Sequence, residues 1–492
     1  MTQAQNPIAH TPLGDLQGTT DGAVSAWLGV PYAQPPVGAL RFAAPQPVKA
    51  WQGVRLATTF GAACIQKPMG SIKSLGPSLD EDCLTLNIWS PAADGAKRPV
   101  MVWIHGGAFL LGSARVYTGA HLAEQGDIVV VAINYRLGAL GFVNFAEALG
   151  DERAATNPGL RDQVAALRWV RDNIAAFGGD PDRVTVAGES AGSVSVSLLM
   201  HSSEAQGLFH GAIMQSGALT LGHDRETSLK VARHYLDVLG VRTLEALQAV
   251  PADKLLAAQA EVHKLVPHTV PASPWFDGTL VPASLAAARA APTPAIPLLV
   301  GFNRDEIRFF ELWRGVAELF LSRPRMGELL RQQFGAAHAE RVLAAYPDTK
   351  DGKRQLGTHM SFGMPTLHFA ERHAAQHPTW FYRFDCGNPL LGAAHALELF
   401  YLWEMPGLLP ALLRGGPLWG ARLALAGRMR SHWIAFVRDG RPGNDWPPFE
   451  PGRRATKVFN RHDQVLDDPQ RNRRVVWAGQ DSAPGMTITS PT

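Results

Sequence analysis

Between Val100 and Ser216 the apolar positions change period several times, and each change marks an element. Val100–His105 (VMVWIH) and Asp127–Tyr135 (DIVVVAINY) are nearly continuous apolar runs, the pattern of strands covered on both faces. From Leu160 to Phe177 the spacing lengthens, and Leu160, Val164, Leu167, Ile174 and Phe177 fall on one stripe of a helix. Gly178-Gly179-Asp180-Pro181 ends it, glycine closing the last turn and proline forbidding another. Val184–Ala187 then reads as a short strand, Ala191–Met200 as a second helix and Gly211–Gly217 as a further strand. Later strands are expected at Ala295–Phe302 and Thr379–Phe384, with a mostly helical stretch from Pro389 to Arg438. A repeated strand–helix–strand rhythm predicts an α/β fold, a mostly parallel sheet with helices on both faces. No repeat and no long Gly/Ser/Pro linker divides the chain. A single domain over residues 1–492 is therefore expected, with helical insertions above the C-terminal edge of the sheet.

Composition narrows the class. The chain is 46% hydrophobic with a formal net charge of +3, a globular balance. So small and scattered an excess argues against nucleic acid as a partner, and the clusters RGRPG and RNRRVV read as solvated surface. The first residues lack a charged start followed by an apolar core, so no signal peptide is expected. No apolar run approaches the roughly 20 residues of a membrane span, and no N-x-S/T sequon occurs. Cys64, Cys83 and Cys386 cannot make a disulfide framework; one Cys64–Cys83 bridge stays open, with free buried thiols expected. HExxH, CxxC and phosphate-binding glycine patterns are absent, so neither cofactor nor metal is expected. The expectation is a cytoplasmic, monomeric enzyme acting on a small molecule.

The chemistry sits where the strand Val184–Ala187 runs out. Gly188-Glu189-Ser190-Ala191-Gly192 places a serine between two glycines, between a strand and a helix. There a one-residue bend strains the serine backbone, and the glycines remove side chains that would collide with the neighbouring strand and helix. The bend aims the hydroxyl above the sheet, and the following helix offers its positive end and free N–H groups. Ser190 is thus the candidate nucleophile.

A serine hydroxyl needs a base, and the base an orienting acid, in the chain order nucleophile, acid, base. After Ala295–Phe302 come Asp305 and Glu306, two carboxylates between which spacing does not choose. After Thr379–Phe384, taken as the last sheet strand, a Gly/Pro-broken loop delivers His395. His359, His368 and His373 lie in a helical stretch and read as core or solvent-facing; His462, after a short strand, is the main competitor. Small residues after the strand ending at His105 suggest an oxyanion loop, with Gly107, Ala108 and Ala191 as N–H donors.

EDCLTLNIWSP (81–91), WIHGGAF (103–109), NYRLGALGF (134–142), FGGDPDRVTVAGESAGS (177–193), MQSG (214–217) and GAAHALEL (392–399) follow one another along the chain. Together they resemble the type-B carboxylesterase family, over about Pro12 to Trp477. The resemblance implies an α/β-hydrolase fold and a carboxylic-ester hydrolase working through an acyl-enzyme. It places the acid at Glu306, beside Ser190 and His395. It also implies two buried ion pairs, Arg41–Glu81 and Arg136–Asp162, and a hydrogen bond from Ser216 in the surroundings of the histidine.

Departures from the family pattern matter too. The loop between Cys64 and Glu81 is short and has no tryptophan, where cholinesterases keep a cation-binding one, so a choline ester is disfavoured. Ile307 follows the acid where many relatives have glycine. Phe309, Trp313, Val316 and Phe320 recur at helical spacing and read as a core stripe rather than a gorge wall. The leading expectation is a serine esterase for small uncharged, apolar esters. The same machinery acting on aryl carbamates or amides is the alternative, and a non-catalytic adhesion or scaffold module is disfavoured by the complete site.

Overall fold

The computed structural model describes residues 6–67, 78–266, 270–312, 322–387, 391–405 and 419–478. In chain order its strands are β1 (Ile8–Thr11), β2 (Gly14–Gln17), β3 (Thr19–Thr20), β4 (Ser25–Pro31), β5 (Val54–Leu56), β6 (Ala63–Cys64), β7 (Leu79–Asp80) and β8 (Thr85–Ser90). They continue with β9 (Arg98–Ile104), β10 (Val129–Ile133), β11 (Gly179–Glu189), β12 (Gly211–Gln215), β13 (Leu298–Asn303), β14 (Thr379–Phe384), β15 (Ala455–Phe459) and β16 (Gln464–Asp467).

Among the described residues eleven strands form one sheet, in the order β16-β15-β14-β13-β12-β11-β9-β10-β8-β4-β3. From β15 to β10 every neighbouring pair is parallel; β8, β4 and β3 at one edge and β16 at the other run antiparallel to their neighbours. The apolar runs occupy the middle of this sheet because both of their faces are covered. Successive side chains of a strand point to opposite faces. Val100, Val102 and Ile104 accordingly join Val129, Val131 and Ile133 in one buried cluster, and Met101 and Trp103 join Val130 and Ala132 in a second.

Several expectations are refined. The helix beginning at Leu160 spans Pro158–Asn173 and tightens into a 3₁₀ turn at Ile174–Phe177, which Gly178 closes at φ +81°. Thr379–Phe384 is not the last strand of the sheet, because β15 and β16 follow it. Position after a final strand therefore did not single out His395. β15 is short and carries a charged residue, Lys457, which is buried with Asp445 2.7 Å from its Nζ.

Both implied ion pairs form. Arg136 grips Asp162 through Nε and a terminal nitrogen at 2.8 and 2.7 Å, fully buried. Arg41 donates to both oxygens of Glu81. Cys64 and Cys83 are free and buried, and Cys386 is free and partly exposed.

Candidate active site

Ser190 joins β11 to the helix Ala191–Leu199 with φ 54° and ψ −123°, a conformation L-residues rarely adopt. The neighbours of this bend explain its two glycines. A Cβ on Gly188 would lie 2.5 Å from the Gly192 carbonyl, and one on Gly192 would collide with the carbonyl oxygen of Ile104 at the end of β9. The strained serine is held by its own N–H, which donates to the Gln215 carbonyl of β12 at 2.9 Å.

Glu306 opens a 3₁₀ turn just beyond β13 and is completely buried. Its Oε1 accepts the Asn303 N–H at 2.7 Å, which fixes the carboxylate, and its Oε2 lies 2.6 Å from His395 Nδ1. The histidine loop is laced to the same segment. The His395 N–H donates to the Glu306 carbonyl at 3.3 Å, and Asn303 Nδ2 donates to the Ala394 carbonyl at 2.8 Å. The choice between carboxylates is thus geometric. Asp305 points away, its Oδ2 accepting the Ala393 N–H at 2.9 Å and pairing with Arg304 at 3.0 Å. Ile307, in place of the glycine, is buried, and its N–H donates to Thr358 Oγ1 at 3.4 Å.

Ser190 Oγ makes no hydrogen bond among the described residues. The other ring nitrogen of His395, Nε2, instead lies 3.2 Å from Glu189 Oε1. Serine–histidine bonds are often long in substrate-free sites and tighten in the Michaelis complex. Ser216 has a buried Oγ that makes no hydrogen bond to the imidazole or to any other described residue. Its backbone, at φ 57°, donates instead to the Gly301 carbonyl at 2.9 Å. The competitors lie elsewhere. His359 contacts the Tyr346 hydroxyl at 2.7 Å, His373 is tied to Thr293 and the Ile296 carbonyl, and His462 is exposed.

The loop after β9 packs directly on the serine. A Cβ on Gly106 would stand 2.7 Å from the Glu189 carbonyl oxygen and 3.1 Å from Ser190 Cβ. Gly107, Ala108 and Phe109 all have positive φ, at 114°, 54° and 61°. The backbone N–H groups of Gly107, Ala108 and Ala191 donate no hydrogen bond among the described residues, leaving them available to an anion.

Two buried carboxyls escaped the sequence reading. Glu398 accepts from Gln215 Nε2 at 3.2 Å and from Asn303 Nδ2, and Glu189 faces His395 as described. Burial, then the neighbouring Glu306, pushes the Glu398 carboxyl up to about 7. Burial pushes Glu189 up to about 8. Burial alone would lower the His395 pKa, but the negative charge of Glu189 and Glu306 outweighs it and raises the imidazole to about 9. The signal for both acids was present: one is the unspecified residue of the serine motif, and the other stands three residues past the histidine.

Aromatic rings close the apolar side. Phe362, Phe310 and Phe309 have ring centroids 4.7, 5.2 and 5.9 Å from that of His395. Phe362 stands on a π-helical turn, His359–Gly363, a form that tends to mark functional sites. Phe309 therefore lines the site instead of starting a core stripe, because a 3₁₀ turn follows it where an α-helix was expected; Trp313, Val316 and Phe320 lie outside the described residues.

The carboxylesterase family model matches residues 5–477. The chain is 37% identical to the para-nitrobenzyl esterase of Bacillus subtilis, covering 95% of this chain and 97% of that protein. It is 36% identical to the phenmedipham hydrolase of Pseudarthrobacter oxydans, over 90% and 93%. Among solved structures, a PNB esterase superimposes with a TM-score of 0.88 at 35% identity, covering 97% of this chain and all (100%) of that one. A carboxylesterase of Geobacillus stearothermophilus gives 0.84 at 38%, over 96% and 99%. The chain belongs to the carboxylesterase family: it is a carboxylic-ester hydrolase on an α/β-hydrolase fold.

Proposed function

We propose that Ser190 is the nucleophile, His395 its general base and Glu306 the orienting acid, and that the substrates are small, uncharged, apolar esters. The observation that carries this is the 2.6 Å contact between Glu306 Oε2 and His395 Nδ1, beside a serine held at positive φ on the strand–helix bend. Glu306 holds the tautomer in which Nε2 can accept a proton and stabilises the imidazolium that results. Ser190 Oγ attacks the ester carbonyl while its proton moves to His395 Nε2. The carbonyl oxygen, now negative, takes N–H donors from Gly107, Ala108 and Ala191, and these are most effective in a site closed to water. The imidazolium then protonates the leaving alcohol. Water repeats the sequence on the acyl-enzyme.

The three phenylalanines beside His395 support an apolar acyl or alcohol group at that wall. A burst of p-nitrophenol at enzyme stoichiometry from p-nitrophenyl butyrate tests the proposal, and its absence together with full steady-state turnover in Ser190→Ala would overturn it. Aryl carbamates are the second reading, supported by the similarity to phenmedipham hydrolase, and belong in the same substrate panel. The unbroken sheet with a core on each face supports reading residues 1–492 as one domain. Free cysteines support a reducing, cytoplasmic setting. No helix of the described residues is long and apolar enough to cross a membrane.

A further inference from the structure

The loop that would hold the oxyanion is strained at its two non-glycine residues of positive φ, Ala108 and Phe109. Gly107, Ala108, Phe109 and Gly112 all have positive φ, and a Cβ on Gly112 would collide with the His105 ring. Backbone of this kind persists only where its surroundings over-determine it. Two anchors come from the segment after β10. Tyr135 OH donates to the His105 carbonyl at 2.7 Å, and the Gly138 N–H donates to the Phe109 carbonyl at 2.7 Å.

The far end of the loop is fixed by a residue from another part of the chain. Gln66, buried just beyond β6, receives the Gly112 N–H on Oε1 at 2.9 Å and donates Nε2 to the Gly112 carbonyl at 2.9 Å. The same Nε2 donates to the Cys64 carbonyl at 3.0 Å, which fixes the side chain to its own segment. One amide thus satisfies both polar groups of a single backbone residue, as a neighbouring strand would. A carboxylate lacks the donors, and Ser or Thr lacks both the reach and the second polar group.

We infer that Gln66 is a positioning residue for the oxyanion hole: by clamping Gly112 it holds the strained loop so that the Gly107 and Ala108 N–H groups converge beside Ser190. This rests on the proposed site. It predicts a loss expressed in the transition state, because the clamp orients donors and touches no substrate.

The test uses the full-length protein and its Gln66→Glu, Gln66→Asn and Gln66→Ala variants. Each is measured with p-nitrophenyl butyrate, with an alkyl trifluoromethyl ketone and with the methyl ketone of equal length. Ser190 Oγ adds to the trifluoromethyl ketone carbonyl, its proton passes to His395, and the former carbonyl oxygen becomes the anion in the hole. The methyl ketone reports ground-state binding.

Removing a whole oxyanion donor costs roughly 10²–10³ in kcat, so displacing donors should cost about 10- to 100-fold. The expected result is that fall in kcat with KM within about threefold, a parallel weakening of the trifluoromethyl ketone and unchanged methyl ketone affinity. Gln66→Glu, nearly isosteric, carries the test if Gln66→Ala does not fold. Unchanged kcat and trifluoromethyl ketone affinity in folded Gln66→Glu and Gln66→Asn would overturn the inference. Equal weakening of both ketones would do the same, since that marks a general loss of structure. Failure of the site proposal looks different: the wild-type protein itself would then bind the two ketones alike.

Discussion

Replacing Glu306 with glutamine keeps the shape of the acid and removes its charge, and the surrounding hydrogen bonds dictate the result. One oxygen of Glu306 accepts the Asn303 N–H at 2.7 Å, and the other faces His395 Nδ1 at 2.6 Å. A glutamine that keeps its oxygen on Asn303 must turn its NH₂ toward Nδ1. The ring proton is then forced onto Nε2, the atom that has to receive the serine proton. Turned the other way, the amide restores the tautomer but sets NH₂ against the Asn303 N–H in a fully buried site. An unsatisfied buried donor costs about 1–3 kcal/mol, so the first orientation dominates. The comparable change in another serine triad lowers kcat by about 10⁴, which is about 5.5 kcal/mol of barrier.

Asp305→Asn provides the control. An asparagine oxygen can still accept the Ala393 N–H, and the lost pair with Arg304, a half-exposed partner, is of the kind worth about 0–1 kcal/mol. A loss of about tenfold or less is expected there. Both variants are assayed at saturating p-nitrophenyl butyrate near neutral pH, after circular dichroism establishes that each is folded. A larger loss for Asp305→Asn than for Glu306→Gln would refute the reasoning, and near-normal rates for both would move the acid elsewhere.

Four further outcomes are expected. Ser190→Ala should lower kcat by about 10⁶ while still binding ester analogues, as measured by turnover and inhibitor titration; retention of a tenth of the activity would exclude Ser190. His395 must be neutral to accept a proton, so kcat/KM should rise with pH through the alkaline range in which its raised pKa, about 9, is passed. Removing a neighbouring negative charge lowers an imidazole pKa, so Glu189→Gln should move that limb to lower pH; a pH–rate profile showing no shift, or an upward one, would contradict the geometry. Gly192→Ala should push β9 away from the serine bend, because the new Cβ meets the Ile104 carbonyl, and cost about 1–3 kcal/mol of stability; an unchanged urea midpoint would argue against this packing.

Much of this was legible in the chain. The runs Val100–His105 and Asp127–Tyr135 announced central strands because burial on both faces leaves no polar alternation to confuse them. Gly188 and Gly192 announced the bend because each sits where a Cβ has no room. The edges were harder to read. β3 has two residues, and β15, one strand in from the β16 edge, carries a buried lysine paired with Asp445 of an irregular segment. The polar pocket was harder still. Glu189 meets His395 only after β11 and the histidine loop are brought together, and no local period encodes that meeting. Phe309 is followed by a 3₁₀ turn, a local geometry that apolar spacing does not distinguish from an α-helix.

The bend at Ser190 also has a consequence for how the chain assembles. Its positive φ is sustained by the carbonyl of Gln215 ahead of it in sequence and by the carbonyl of Ile104 far behind it, against which Gly192 is pressed. No local segment can hold that geometry alone, since β9, β11 and β12 must already lie in register. Parallel pairings across long loops are slow to form, and chains of this size pass through compact intermediates. On the proposed mechanism, the serine site is complete only once these three strands are paired. Recovery of esterase activity on refolding therefore requires this long-range pairing and not helix formation alone.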